Sequence, residues 1–209
     1  MKSKDDFFLE TILIWGRANF ADFPWRYTNN SWHALVAEIM LQRTNASQVA
    51  PAFESFCLKY PFVEDFLLDE NPNIFGKLGL KWREPMLRQL AEKLVSSSIP
   101  HQKQELLLLP GVGEYIASAY RSFHLGERDY IIDSNVVRLY GRYFGFDTHA
   151  ETRRKKWFKS FANELTPNES FQDYNYAILD FTRNICKPVP LCEKCPLKTK
   201  CIYYQDQKK

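Results

Sequence analysis

The stretch Leu109-Pro110-Gly111-Val112-Gly113-Glu114-Tyr115-Ile116-Ala117 joins two runs whose apolar residues recur at helical spacing, 102–109 and 114–124. A Gly-x-Gly turn between helices lets the backbone take positive φ. It also leaves bare N–H groups at the start of the second helix, an arrangement suited to a phosphate oxygen. Such a contact anchors nucleic acid without reading its sequence. An ordinary tight helix–helix turn would look the same, so the hairpin is informative only together with its surroundings.

Working outward, the helical spacing continues on both sides. Phe8, Ile12 and Trp15 form one stripe, Trp32, Leu35, Val36, Ile39 and Met40 a second, and Val49, Phe53, Phe56, Cys57 and Tyr60 a third. Turn signals separate them at Phe23-Pro24-Trp25-Arg26, Asn29-Asn30-Ser31 and Tyr60-Pro61. Further helices are expected over 86–95, 135–144, 152–165 and 173–185. The nearest thing to a period-2 run, 129–133, is too short to define a strand. With 209 residues, 45% hydrophobic and 25% charged, the chain has an ordinary globular composition, and its 8 Gly are too few for a hairpin-rich sheet. An all-α fold is expected. Asp5, Asp6 and Glu10 interrupt any leader-like apolar run, and no stretch approaches the roughly 20 apolar residues of a membrane span. An intracellular setting without a membrane partner is therefore expected.

Net charge is only +3, but it is unevenly placed. Residues 186–209 carry six Lys and two acids, net +4, so the other 22 basic and 23 acidic residues sum to −1. The same segment holds Cys186, Cys192, Cys195 and Cys201, spaced C-x5-C-x2-C-x5-C. In a reducing compartment such a group reads as a metal site rather than as disulfides. Zinc sites usually present two close pairs. One CxxC flanked by distant single cysteines is better suited to a [4Fe-4S] cluster held by four thiolates.

Two acids stand out. Asp133, in Tyr130-Ile131-Ile132-Asp133-Ser134-Asn135-Val136, precedes a helical run, where Asp is a common N-cap and where the free N–H groups favour its ionised form. Glu38 sits among Val36, Ala37, Ile39, Met40 and Leu41, where a carboxylate is costly to bury unless it is paired or used. Gln42, Arg43 and Thr44 close that helix with polar groups that could reach DNA. His33, His101, His124 and His149 show no ligand or catalytic spacing and read as structural or exposed. Cys57, on an apolar stripe, reads as core.

Together these motifs resemble the helix-hairpin-helix DNA glycosylases of the endonuclease III and MutY superfamily. Leu109-Pro110-Gly111-Val112-Gly113 is similar to the hairpin, Ile132-Asp133-Ser134-Asn135-Val136 to the catalytic-aspartate segment, and the four cysteines to the iron-sulfur loop. Phe23-Pro24-Trp25-Arg26 and Ala37-Glu38-Ile39-Met40-Leu41-Gln42-Arg43-Thr44 are similar to the MutY branch and its thymine-mismatch relatives. The likeness spans roughly residues 8 to 205.

The resemblance implies a two-lobed fold with a substrate cleft between the lobes. A six-helix domain over 22–134 would contain the hairpin, and 1–21 with 135–209 would form the iron-sulfur domain. It implies a monomer that acts on double-stranded DNA, flips a mispaired or damaged base out of the stack and hydrolyses its glycosidic bond. Asp133 would stabilise the sugar cation or activate water, Glu38 would contact or protonate the departing base, and Gln42 and Arg43 would fill the gap in the stack. Gly111, Val112 and Gly113 would hold the backbone, and Cys186, Cys192, Cys195 and Cys201 a [4Fe-4S] cluster. Tyr115 stands where the lyase branch carries a Schiff-base lysine, which implies a glycosylase without strand cleavage. The first two loop cysteines are one residue closer than is usual in the family.

Three features favour thymine or uracil opposite guanine over adenine opposite guanine or 8-oxoguanine. The chain stops soon after Cys201, without the second domain usual in adenine enzymes. Gly79-Leu80-Lys81-Trp82-Arg83-Glu84-Pro85 departs from the adenine-branch pattern. Gln42-Arg43-Thr44 and the segment from Cys192 to Tyr204 are closer to thymine mismatch enzymes. A DNA-binding module that has lost its chemistry is the remaining alternative, and the presence of both Asp133 and Glu38 counts against it.

Overall fold

The computed structural model describes residues 3–76 and 78–208. Among them there is no strand, and the fold is all-α. In chain order the helices are α1 (Lys4–Asn19), α2 (Ser31–Met40), α3 (Ala46–Lys59), α4 (Val63–Leu68), α5 (Glu84–Leu94), α6 (Lys103–Leu106), α7 (Glu114–Tyr120), α8 (Ser134–Phe144), α9 (Lys156–Leu165), α10 (Phe171–Asn184) and α11 (Ile202–Asp206). None of the described helices is long and apolar enough to cross a membrane. The chain divides into two compact units: Asp22–Glu127, and the residues up to Ala21 together with those from Arg128 onward.

In the Asp22–Glu127 unit, α2 starts on Asn30, whose side-chain oxygen accepts the His33 N–H at 3.1 Å. Every residue from Trp32 to Met40 is buried. A helix that is apolar all round has to sit at the centre of its unit, and α3, α7 and the 3-10 turn Pro24–Tyr27 pack around it. The polar His33 is satisfied, its Nε2 lying 2.8 Å from the Tyr60 carbonyl.

The hairpin helices are shorter than their sequence pattern suggests. After α6 the chain tightens into i,i+3 hydrogen bonds, from Leu108 N–H to the Glu105 carbonyl and from Leu109 N–H to that of Leu106. The expected helix 114–124 is α7 followed by a π-turn, Arg121–Leu125, which ends at Gly126 in the left-handed region.

In the other unit α1 is fixed at its start by a capping box, Asp6 N–H to Ser3 Oγ at 3.0 Å and Ser3 N–H to Asp6 Oδ2 at 3.2 Å. It lies directly on α10 because position 16 is glycine. A Cβ there would overlap the Ala177 side chain and come within 3.2 Å of its Cα. Phe8 packs on Tyr140, Tyr143 and Phe144, and Trp15 meets Phe181 edge-on with ring centroids 5.0 Å apart. The run 152–165 is not one helix: Lys155 is extended between a 3-10 turn, Thr152–Arg154, and α9. Residues 128–134, expected to close the hairpin domain, pack here instead. Arg128 donates to Asn163 Oδ1 at 3.0 Å and to the Pro167 carbonyl, and Asn175 donates to the Asp129 carbonyl.

Gly16→Leu is expected to force α1 off α10 and to lower stability by about 1–3 kcal/mol. Urea unfolding checks this, and an unchanged midpoint would show that the two helices do not need their close approach.

Candidate active site

In the Asp22–Glu127 unit the hairpin turns on Gly111, which has φ of 77° and packs on Met86 so closely that a Cβ would overlap the thioether. The left-handed backbone calls for glycine, and a Cβ would also have to displace the flexible Met86 side chain. Leu109 accepts the Val112 N–H at 3.1 Å, and Gly113 caps α7 with open space beside its Cα. Lys103 Nζ donates to Ser118 Oγ at 2.7 Å and ties α6 to α7. Tyr115, on the first turn of α7, is half-buried against the core.

Glu38 is 2% exposed on α2. Its Oε1 lies 3.5 Å from Nε2 of His124, whose side chain is 6% exposed, and its Oε2 is buried without a hydrogen-bond partner. His124, read from the sequence as structural or exposed, is buried beside the one carboxylate of α2, and its Nε2 has no hydrogen-bond partner.

The chain then leaves α2 through a turn that holds the two expected DNA-facing residues. Gln42 is half-buried, and Arg43 is exposed with φ of 61°. A left-handed arginine is a strained conformation of the kind that clusters at functional sites. Arg83, which carries no motif of its own, supports the turn. It is buried, donates from Nη1 to the Ile39 carbonyl at 2.7 Å, and places its guanidinium 4.8 Å from the centre of the Trp82 ring. Burial, with the nearby charge of Arg43, pushes its guanidinium below the ordinary arginine range.

In the other unit, Asp133 is the N-cap of α8. Its Oδ1 accepts the Val136 N–H at 2.7 Å, and its Oδ2 accepts the Asn135 side-chain amide at 2.7 Å. Both oxygens are thus oriented, and the carboxylate sits where the helix dipole favours negative charge. Asn135 in turn accepts from Arg138 Nη1 at 2.8 Å, and Arg138 donates to the Cys186 carbonyl from Nε at 3.1 Å and Nη2 at 2.9 Å. One turn further, Arg142 donates to the carbonyls of Lys187 (2.6 Å) and Pro188 (2.9 Å) and approaches Cys186 Sγ at 3.7 Å.

α8 therefore holds Asp133 at its start and the cysteine loop along its side. Cys186, Cys192, Cys195 and Cys201 all line one small cavity, shared with Leu139, Tyr143, Phe181 and Leu197. Burial and the neighbouring thiols push Cys195 up to about 12. Only a positively charged centre among them would make these groups thiolates at neutral pH. Four sulfurs around one apolar cavity, with no imidazole or carboxylate lining it, fit the donor chemistry of an iron-sulfur cluster. Among the described residues no three His, Cys, Asp or Glu side chains are set to hold a single metal ion.

No family model matches the chain. It is 33% identical over 206 residues to a thymine/uracil-DNA glycosylase of Methanothermobacter thermautotrophicus, covering 95% of this chain and 93% of that protein. It is 30% identical over 212 residues to an adenine DNA glycosylase of Buchnera aphidicola, covering 96% of this chain and 59% of that protein. A solved thermostable thymine-DNA glycosylase superimposes with a TM-score of 0.89 at 32% identity, over 97% of both chains. Endonuclease III trapped on DNA shares the fold, with a TM-score of 0.85 at 20% identity over the whole of both chains. The class that fold and relatives define is the DNA glycosylases of base-excision repair. Within it, the chain belongs to the helix-hairpin-helix superfamily of endonuclease III and MutY.

Arg142→Ala is expected to free the loop after Cys186, with a local cost of about 1–3 kcal/mol. Hydrogen exchange should accelerate at the amides of 186–191, and unchanged exchange there would show that the loop holds itself.

Proposed function

We propose that this chain is a monofunctional glycosylase that removes thymine or uracil opposite guanine from double-stranded DNA, working as an intracellular monomer. The observation that carries the base preference is its likeness, above 30% identity and over nine-tenths of both chains, to thymine/uracil-DNA glycosylases, two of which are from Methanothermobacter and Pyrobaculum aerophilum. The match to adenine enzymes keeps adenine opposite guanine or 8-oxoguanine as the second reading.

In this reading the target nucleotide is flipped, and Gln42 and the left-handed Arg43 fill the gap it leaves. Gly111, Val112 and Gly113 offer backbone N–H groups to a phosphate. Asp133, fixed by Val136 and Asn135, faces the positive charge that develops on the sugar as the C1′–N bond breaks. The bonding pair leaves with the base, which takes a proton from Glu38. Water adds its oxygen to C1′ and gives its proton to Asp133 and then to solvent. Tyr115 offers a phenol where an amine would be needed for an imine, so the product is an intact strand with an abasic site.

Cys186, Cys192, Cys195 and Cys201 would hold a [4Fe-4S] cluster, which supplies metal–thiolate bonds that clamp the loop rather than a reacting group. Lys187 and Lys194 would then offer charge to DNA, whereas Lys198 already pairs with Glu193 at 3.5 Å. Purified protein is expected to be brown, with about four irons per chain; a colourless protein carrying zinc would overturn the cluster.

Duplexes holding G·T or G·U should break at the mispair only after alkali. Breaks without alkali would contradict the role given to Tyr115, and breaks confined to adenine would reverse the base preference. Asp133→Asn keeps a capping side chain but loses the charge, so base release should fall by about 10²–10⁴-fold with melting unchanged.

A further inference from the structure

The run Arg153-Arg154-Lys155-Lys156-Trp157-Phe158-Lys159 has five basic residues in seven and no acid, and it takes no part in the proposed reaction. The rest of the chain holds 23 basic and 25 acidic residues, so the positive net charge of the protein comes from this run. Arg153, Arg154, Lys155, Lys156 and Trp157 are all exposed. Arg154 pairs with Glu151 at 2.7 Å, whereas among the described residues Arg153, Lys155 and Lys156 form no ion pair.

Stability does not account for these cations. Lys155 and Lys156 stand at the N-cap and first position of α9, which has no side-chain cap and no acid in its first turn. Positive charge there opposes the helix dipole, so each lysine destabilises the helix where an acid would stabilise it. Trp157 is 47% exposed, yet its ring is held edge-on by those of Phe146 and Phe158, both with centroids 5.4 Å away. Cations thus surround a rigid apolar edge, and closely spaced phosphates joined by sugars are the complement of such a surface.

The run also lies away from the catalytic aspartate. Asp133 caps the start of α8, and the 11 residues of that helix carry the chain about 16 Å to its other end. Phe146, against which Trp157 packs, follows that far end. Arg153 borders a groove beside α8 with Arg138, Arg142 and His149, in which Asp147 and Asp206 are the acids. A duplex seated on Asp133 is therefore centred at one end of α8, and the exposed indole at the other.

We propose that Arg153, Lys155, Lys156 and Trp157 form a second DNA-binding surface, which holds the backbone of another duplex segment without reading its sequence and passes the protein from one segment to the next. Duplex DNA is the polyanion that an enzyme of this class meets throughout its search, and sequence-independent charge contacts are what let a protein move along and between its segments. The surface serves that search rather than bond cleavage, so the proposal goes beyond the glycosylase reading and does not depend on which base is excised.

The test uses the full chain on undamaged duplex, following its departure from a labelled duplex as unlabelled duplex is raised. A second surface that takes the incoming duplex should accelerate departure about twofold or more for a roughly tenfold rise in competitor at low salt. In the triple variant Arg153→Gln, Lys155→Gln, Lys156→Gln that dependence should disappear, while single-turnover excision at saturating duplex stays as in wild type. The variant should melt at the same temperature or higher, because charges that oppose the α9 dipole are gone.

Wild-type departure that ignores competitor, or a variant that responds to it as wild type does, overturns the proposal. So does a variant whose excision falls as well, since the cations would then belong to the surface that holds the target site. Acceleration by poly-glutamate but not by duplex would make an acidic protein segment the occupant and overturn it too. If no base is released from any duplex, the glycosylase reading fails, and the departure measurements still decide this proposal.

Discussion

The complete burial of α2 is the constraint on which the hairpin unit depends. A ten-residue helix with nine buried positions leaves its polar groups no access to water, so each must be met from a neighbouring element. His33 is met by the Tyr60 carbonyl and the Ile39 carbonyl near its end by Arg83, while His124 Nε2 only approaches Glu38 Oε1, at 3.5 Å. Two side-chain atoms of the helix, Trp32 Nε1 and Glu38 Oε2, are buried without a hydrogen-bond partner. An unpaired carboxyl oxygen inside a close-packed unit is a cost that packing alone does not repay. The same helix ends in a turn so tight that Arg43 takes a left-handed conformation.

The other unit is organised by α8 in a comparable way. The helix begins on a carboxylate, and its next turns carry Asn135, Arg138 and Arg142 in succession, hydrogen-bonded from Asp133 to the carbonyls of Cys186, Lys187 and Pro188. Spacing of about one turn puts these side chains on one face. The cysteine loop is thus fastened to the element that orients Asp133. A loop with no helix longer than a 3-10 turn between Cys186 and Cys201 gains its fixed path from those two arginines and from the four sulfurs that it gathers around one cavity.

How much of this was legible in the sequence varied with how local the cause was. Gly111 could be read because a positive φ calls for glycine, and the Asp133 cap because its partner lies three residues on. The cysteine spacing pointed to a shared centre, whereas the arginines that hold the loop lie more than 40 residues upstream and carry no motif. His124 has no ligand or catalytic spacing in the sequence, and the π-turn that carries it leaves no signature in residue types. Arg43 showed its charge but not its backbone, since nothing in an arginine announces a left-handed φ. The resemblance places 128–134 with the hairpin, and the hydrogen bonds that tie the segment to Asn163, Pro167 and Asn175 are non-local and leave no local signal.

A modest net charge is compatible with a DNA glycosylase, because the proposed reaction asks for carboxylates and a few backbone contacts rather than for a large basic surface. In the proposed function, recognition rests on which base can be extruded and held inside the protein, and a mispaired base costs least to extrude. Mass spectrometry of the free bases released from an equimolar mixture of G·T, G·U and G·A duplexes tests that claim most directly. Thymine and uracil, with intact strands left behind, are the predicted products; adenine as the main product, or no free base from any duplex, would contradict it.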